Sequence, residues 1–342
     1  MDFIKKESEK RFNPDEEYLG KDKKVNNINP LVSVTVATYQ HAPFIKDCLD
    51  GILMQKTDFP FEIIIGEDES SDGTRDICKK YAERYPDKIR LFLRDRNKSI
   101  LTDDEGRQLA RFNVRWSRRS ARGKYIAICE GDDYWTDPEK LQKQVFFLEN
   151  NSSYMLTVGG YKTKDINTGR QKINTIKGKD NDPDKPEGFT FTLEDYRLNW
   201  ITKTLTAVFR NEEFSINYYD KYRYPRDVHL MYHLLKNGKG FYFTDIFGVY
   251  RLHDGGVFSS LSLYQKKMAN YRVKKEIFDV NRDEISRKMH MASVKSLLRL
   301  PQYRLADKEV SRSKMQLLFE GLRAAKTFKE YLSVIKTALI RK

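Results

Sequence analysis

The sequence predicts an α/β protein, with a mostly parallel sheet flanked by helices and a helical extension at its C-terminal end. Three observations carry that expectation. Apolar, β-branched runs alternate with helical periodicity four times over about 100 residues. Three of these runs end abruptly in polar clusters, at Thr38-Tyr39, Glu67-Asp68 and Glu130 to Asp133. Ligands of open parallel sheets bind beyond the carboxyl ends of the strands, so three such clusters are expected to meet at one rim. From Leu263 onward, apolar residues recur at helical spacing.

Residues 1–30 are polar and without period, and are expected to form a loosely packed lead-in. Leu31 to Tyr39 reads as a buried parallel strand. Pro43 then opens a helix that repeats Phe44, Ile45, Cys48, Leu49, Ile52 and Leu53. Phe61 to Gly66 is a second strand, followed by a helix for which Asp72 is the expected N-cap. Ile89 to Leu93 is a third strand. Residues 107–120 read as helical, with Leu109, Phe112, Asn113 and Trp116 on one side. The strand at 125–129 follows. Residues 162–190 are polar and read as a long loop over the site. Trp200 to Arg210 alternates like a strand, and Asp227 heads an apolar helix.

The chain has 342 residues, 39% of them hydrophobic and 13% aromatic, which fits a packed protein with one large domain and an appendage. No apolar run approaches the roughly 20 residues that span a bilayer, and Met1 to Lys24 lacks the apolar core of a secretory signal. A cytoplasmic location is therefore expected, at most at the inner face of the membrane. Cys48, Cys78 and Cys129 are isolated and read as reduced core residues. Of the net charge of +14, Leu263 to Lys342 contributes +12, from 20 Lys/Arg against 8 Asp/Glu. A basic tail on a near-neutral body calls for an anionic partner, either membrane headgroups or nucleic acid. No RRM, KH or zinc-finger signature supports nucleic acid.

The chemistry is concentrated in Ile126-Ala127-Ile128-Cys129-Glu130-Gly131-Asp132-Asp133, where a strand-length apolar run delivers three acids within four residues. Carboxylates gathered at a sheet edge need a cation, and oxygen-only ligands suit Mg²⁺ or Mn²⁺. The competing structural reading has Asp132-Asp133 capping the helix near Pro138. There is no GxGxxG after the first strand and no GxxxxGK[ST], so a dinucleotide fold or P-loop has no support.

Val-Thr-Val-Ala-Thr-Tyr, then Gly-Glu-Asp-Glu-Ser-Ser-Asp-Gly-Thr, then Ala-Arg-Gly-Lys-Tyr-Ile-Ala-Ile-Cys-Glu-Gly-Asp-Asp-Tyr-Trp together resemble family 2 glycosyltransferases of the GT-A fold. The likeness runs through residues 31–150 and more loosely through 190–256. It implies a GT-A domain at 31–256, with a nucleotide-sugar half (31–150) and an acceptor half (151–256), and a basic helical extension at 257–342. By that resemblance a nucleoside-diphosphate sugar, with a UDP-sugar the expected donor, lies across the strand ends. Thr38, Tyr39, Asp68 and Arg107 fall at positions near the nucleotide. Glu130-Gly131-Asp132 takes the DxD place, with Glu130 toward the ribose and Asp132 on the metal, and His253 joins the metal or diphosphate. Asp227 falls where the family places the base of an inverting transfer, and Trp200 where an acceptor sugar would stack. His229 and His233, four apart on one helix face, lack the glutamate of HExxH and read as structural. The implied acceptor is a glycan or lipid-linked hydroxyl, and a homo-oligomer is compatible. Two other readings are a sugar nucleotidyltransferase, which would also use acids around a metal, and a non-catalytic membrane- or nucleic-acid-binding protein acting through its basic tail.

Overall fold

The structure is a computed structural model that describes residues 2–12, 16–20, 26, 28–102, 108–176, 187–198, 201, 203–212, 217–222, 225–255, 261–300 and 314–339. The chain divides into two compact units, Met1–Leu252 and His253–Lys342. The division falls four residues ahead of the boundary at 256/257 expected from the sequence.

In chain order the first unit runs α1 (Asp2–Arg11), β1 (Glu17–Tyr18), β2 (Val32–Thr38), α2 (Ile45–Leu53), β3 (Phe61–Glu67), α3 (Thr74–Arg84), β4 (Ile89–Leu93), α4 (Arg96–Ser99), β5 (Ile100–Thr102), β6 (Gln108–Arg111), α5 (Asn113–Arg119) and β7 (Tyr125–Ile128). It continues β8 (Tyr134–Trp135), α6 (Lys140–Asn150), β9 (Tyr154–Asp165), β10 (Gln171–Asn174), β11 (Gly188–Phe191), α7 (Leu193–Leu198), β12 (Val208–Arg210), α8 (Asp227–Asn237) and β13 (Lys239–Leu252). The main sheet is ordered β1-β4-β3-β2-β7-β12-β9-β13-β11. Strands β4, β3, β2 and β7 are mutually parallel, whereas β12 runs antiparallel to both neighbours. Every residue of β3 and β7 is buried, as apolar runs covered on both faces require. Val34, Ile63, Ile65, Ala127 and Leu49 share one core with Trp135 and the phenylalanines of β13.

Four expectations change. The lead-in is not loose. The Trp116 indole donates to the Ser8 hydroxyl at 3.1 Å, the buried Arg94 pairs with Glu16 at 2.7 Å, and β1 extends the sheet beside β4. A polar segment folds here because its acids answer arginines that β4 would otherwise bury alone. Residues 107–120 are not one helix, since β6 pairs with β5 before α5 begins. The polar stretch 162–190 contains three strand segments: β9 runs to Asp165, turns and pairs with β10, and β11 joins β13, while 177–186 fall outside the described residues. The strand expected over Trp200–Arg210 shrinks to β12, behind a 3-10 turn at Thr204–Thr206.

The second unit is helical: α9 (Leu263–Asn281), α10 (Glu284–Leu298), α11 (Lys314–Ala324) and α12 (Phe328–Leu339). Ser262 and Gln265 close a capping box on α9, and Asp283 caps α10 through the Ser286 N–H at 2.8 Å. Met268, Tyr271, Val294, Leu297, Leu317 and Val334 form the unit's own core.

Candidate active site

The site lies at the carboxyl ends of β2, β3 and β7, where β2 meets a neighbour on each side. At the end of β2, the Thr38 hydroxyl lies 3.2 Å from His41 Nδ1. His41 Nε2 in turn lies 3.9 Å from Asp132 Oδ2. Gly131 is imposed by this packing, because a Cβ there would sit 2.6 Å from Thr38 Oγ1 and 2.9 Å from His41 Nδ1. That contact explains why a glycine separates the acids Glu130 and Asp132.

At the end of β3 the two acids divide their work. Glu67 is fully buried, pairs with Arg75 and accepts the Ser70 N–H at 2.7 Å, which makes it a fixed part of the scaffold. Asp68 is also buried. It accepts the Ser99 hydroxyl and pairs with Arg96 at 2.8 Å, and the Arg96 guanidinium lies 3.4 Å from the centre of the Tyr39 ring. Burial pushes the Asp68 carboxyl above its ordinary value, against the pull of Ser99, Arg96 and Arg111. Arg111 is lowered by burial and by the like charges of Arg96 and Arg226, and it also feels Asp68 and Tyr39. Arg107, the guanidinium expected here, lies outside the described residues.

At the end of β7, Glu130 Oε1 accepts the Thr204 hydroxyl at 2.6 Å. Its Oε2 is buried with no hydrogen-bond partner among the described residues. Burial pushes Glu130 above the usual carboxylate range; Thr204 opposes this, and the charges of Asp132 and Asp227 reinforce it. Asp133 is 1% exposed and accepts the Arg251 N–H at 2.8 Å. Burial, then Asp132 and Glu130, hold it well above its ordinary value. It fastens β13 to the acidic turn and caps no helix: α6 starts at Lys140, preceded by Glu139. The Arg251 guanidinium completes the fastening, donating to the Asp132 carbonyl at 3.0 Å, pairing with Asp47 and lying 4.3 Å from the Tyr134 ring centre.

Asp227 is exposed at the first turn of α8. Among the described residues it shares an electrostatic neighbourhood with Glu130 and with the buried Tyr196. The Arg226 N–H donates to His229 Nδ1 at 3.0 Å, and His233 Nε2 lies 2.8 Å from the Tyr222 hydroxyl, so both histidines are built into the buried side of α8. Asp72 lies one residue before the Gly73 N-cap, which has φ 101°; its Oδ1 accepts the Thr74 N–H at 3.0 Å. Trp200 lies outside the described residues, and His253, half-buried, opens the second unit.

Among the described residues, no three His, Cys, Asp or Glu side chains close on one point as a ready-made cage. The acidic turn still suits a hard divalent cation: Asp132 raises the proton affinity of both Glu130 and Asp133, and Glu130 keeps an unpartnered buried oxygen for a ligand. Mg²⁺-type ions are commonly held by one or two carboxylates together with substrate phosphates.

Four side chains that the sequence did not single out complete the rim: His41, Arg96, Thr204 and Arg251. Arg251 stands two residues before His253, and Arg96 just past the end of β4. Position alone could have flagged these two; nothing local marks Thr204.

The sheet order, with acids at the strand ends on both sides of β2, is that of an open α/β sheet whose ligand site lies at the carboxyl ends of its strands. The sequence profile described as glycosyl transferase family 2 matches residues 33–101, from β2 to β5. An uncharacterized protein of Mycobacterium tuberculosis is 41% identical over 120 residues, 35% of this chain and 32% of its own, so the chain spans about a third of the length of that relative. The putative teichuronic acid biosynthesis glycosyltransferase TuaG of Bacillus subtilis is 29% identical over 243 residues, 69% of this chain and 84% of its own. The crystal structure of S. aureus TarS 1-349 in complex with UDP-GlcNAc superposes with a TM-score of 0.56 at 19% identity over 90% of both chains, a likeness of fold. Over residues 33–101 the chain thus resembles the family 2 glycosyltransferases, and over 69% of its length it resembles one protein named as a putative glycosyltransferase.

Proposed function

We propose that this protein transfers a sugar from a nucleoside-diphosphate donor to a hydroxyl of a glycan or lipid-linked glycan, with inversion and with a divalent cation, in the making of a surface polysaccharide. The observation that carries the reading is Glu130, which has an unpartnered buried oxygen and feels the charges of both Asp132 and Asp227. The names of TuaG, a putative teichuronic acid glycosyltransferase, and of TarS bound to UDP-GlcNAc support the polysaccharide setting and a UDP-sugar donor.

In this reading the base of the nucleotide takes the place beside Tyr39 and Asp68 that Arg96 now fills. Tyr39 offers a ring face and Asp68 an acceptor for a base N–H. Thr38 and Gly131 set how closely the chain approaches the donor. Arg107 and Arg111 add positive charge toward the nucleotide. Glu130 would offer its second oxygen to the ribose, while Asp132 would hold Mn²⁺ or Mg²⁺. When bound, that ion neutralises charge building on the departing diphosphate. Asp227, exposed and ionisable, takes the proton of the acceptor hydroxyl as its oxygen bonds to the anomeric carbon. The bond from that carbon to the diphosphate oxygen breaks, and its electron pair leaves with the diphosphate. Trp200 offers a platform for the acceptor sugar. The basic second unit gives the protein a means of meeting an anionic membrane where such acceptors are anchored.

A panel of nucleotide sugars with Mn²⁺ or Mg²⁺ tests this by donor turnover. Release of nucleoside diphosphate is expected, and Asp227→Asn should lose about 10²–10⁴-fold in transfer while still binding donor. Release of pyrophosphate instead would identify a nucleotidyltransferase. A folded protein that ignores every donor overturns the proposal.

A further inference from the structure

Helix α12 is apolar on two different faces, and its unit uses only one. At about 100° per residue, Phe328, Tyr331, Leu332, Ile335 and Leu339 fall on one arc roughly 100° wide. Such a stripe can pack onto the body or lie on an anionic membrane. The structure packs the other face inward. Val334, fully buried, and Thr337 turn into the second unit, where Val334 packs on Gly321 of α11 so closely that a Cβ there would stand 2.9 Å away. The stripe is left outside, with Phe328 77% and Leu339 73% exposed. On α11, Met315 and Phe319 are likewise exposed.

The charges are sorted with the same polarity. Each helix has one acid, and each acid is turned inward. Glu330 pairs with the buried Arg287 at 2.9 Å, and Glu320 accepts the Tyr271 hydroxyl at 2.7 Å and lies 3.2 Å from His290. The cations Arg323, Lys329 and Lys336 stay at the exposed surface. Lys329 and Lys336 flank one edge of the apolar arc. A sheet of anionic headgroups over acyl chains matches both parts: rings and aliphatic groups enter the boundary, and lysines reach up to the phosphates.

We propose that the exposed face of α12 is a monotopic docking surface for an anionic lipid bilayer, lying in its interface. No helix among the described residues is long and apolar enough to cross a membrane, which leaves an interfacial attachment as the mode this face can support. The proposal sharpens the membrane contact named above to one face of one helix, and it is independent of the transferase chemistry because its test measures binding alone.

The full chain is spun with vesicles of equal parts phosphatidylglycerol and phosphatidylcholine, and with phosphatidylcholine alone. Sedimentation with the anionic vesicles only, weakening as salt rises, is expected. Leu332→Glu with Ile335→Glu should reduce the bound fraction at least about tenfold, with unchanged circular dichroism because both side chains already face outward. Lys329→Gln with Lys336→Gln should reduce the preference for anionic vesicles and leave the helix intact. Failure of the wild-type chain to sediment, or equal sedimentation by the Leu332/Ile335 variant, overturns the proposal. So does a concentration-dependent dimer in sedimentation velocity that the same variant abolishes, since the face would then belong to a second copy of the chain.

Discussion

Two strand ends on either side of β2 carry acids, and the structure treats them in opposite ways. After β3, Glu67 and Asp68 each have an arginine, Arg75 and Arg96. After β7, Asp132 raises the proton affinity of both Glu130 and Asp133, and the Arg251 guanidinium, which opposes this at Asp133, donates to the Asp132 carbonyl and pairs with Asp47. At the first end each acid is paired with an arginine; at the second, Glu130 keeps a buried oxygen with no hydrogen-bond partner among the described residues. Acids that look alike in a sequence therefore differ in what they ask of a ligand. A balanced pair can present an acceptor to a neutral base edge, whereas an unbalanced cluster draws a cation.

Substitutions can break or sharpen that contrast. The largest effect is expected for Asp132→Asn, which should reduce transfer by about a thousandfold, measured as nucleoside diphosphate released, with little loss of folding stability. Arg75→Gln at the balanced end should do the opposite, costing about 2–3 kcal/mol in urea unfolding by stranding Glu67 while turnover per folded molecule persists. If both substitutions acted alike, the division of roles would be wrong. Saturating Mn²⁺ should stabilise the wild-type chain and the Arg75 variant by about 2–3 kcal/mol at a hundredfold excess over Kd, and leave Asp132→Asn unmoved in a thermal shift assay.

The smallest expected effect lies behind the second end. Lys140 is fully buried with its ammonium 4.0 Å from the centre of the Trp135 ring, and burial lowers it to about 7. The unfolded chain holds that proton up to about pH 10.4, so between the two values the native state binds fewer protons and gains stability as pH rises. Lys140→Met is thus expected to stabilise by roughly 1–2 kcal/mol at about pH 6, with the advantage shrinking toward about pH 9. An advantage that grew with pH would contradict the assignment.

Much of the first unit was legible because its signals are local. Val32–Thr38 and Phe61–Glu67 are apolar without interruption, as strands covered on both faces must be, and polar residues stop them where the sheet ends. The turn Glu130-Gly131-Asp132-Asp133 was visible for the same reason. What escaped depended on partners distant in the chain. The lead-in looked structureless because its order comes from Arg94 and Trp116, roughly 80 to 110 residues away. The polar stretch after Tyr161 looked like a loop because β10 borrows its hydrogen bonds from β9 and carries no apolar period of its own.

By itself, the amino-acid order determined the alternation of strands and helices, the parallel sheet, and the acids at the ends of β2's neighbours, because periodicity and chain direction are properties of a segment alone. Only the tertiary structure decided that Asp68 meets Arg96, that Asp133 serves β13 and Glu130 faces Thr204, and that α12 buries Val334 while exposing Phe328. A charge is neutralised, and an apolar face covered, by whatever the fold brings across from elsewhere, and a single segment carries no record of that neighbour.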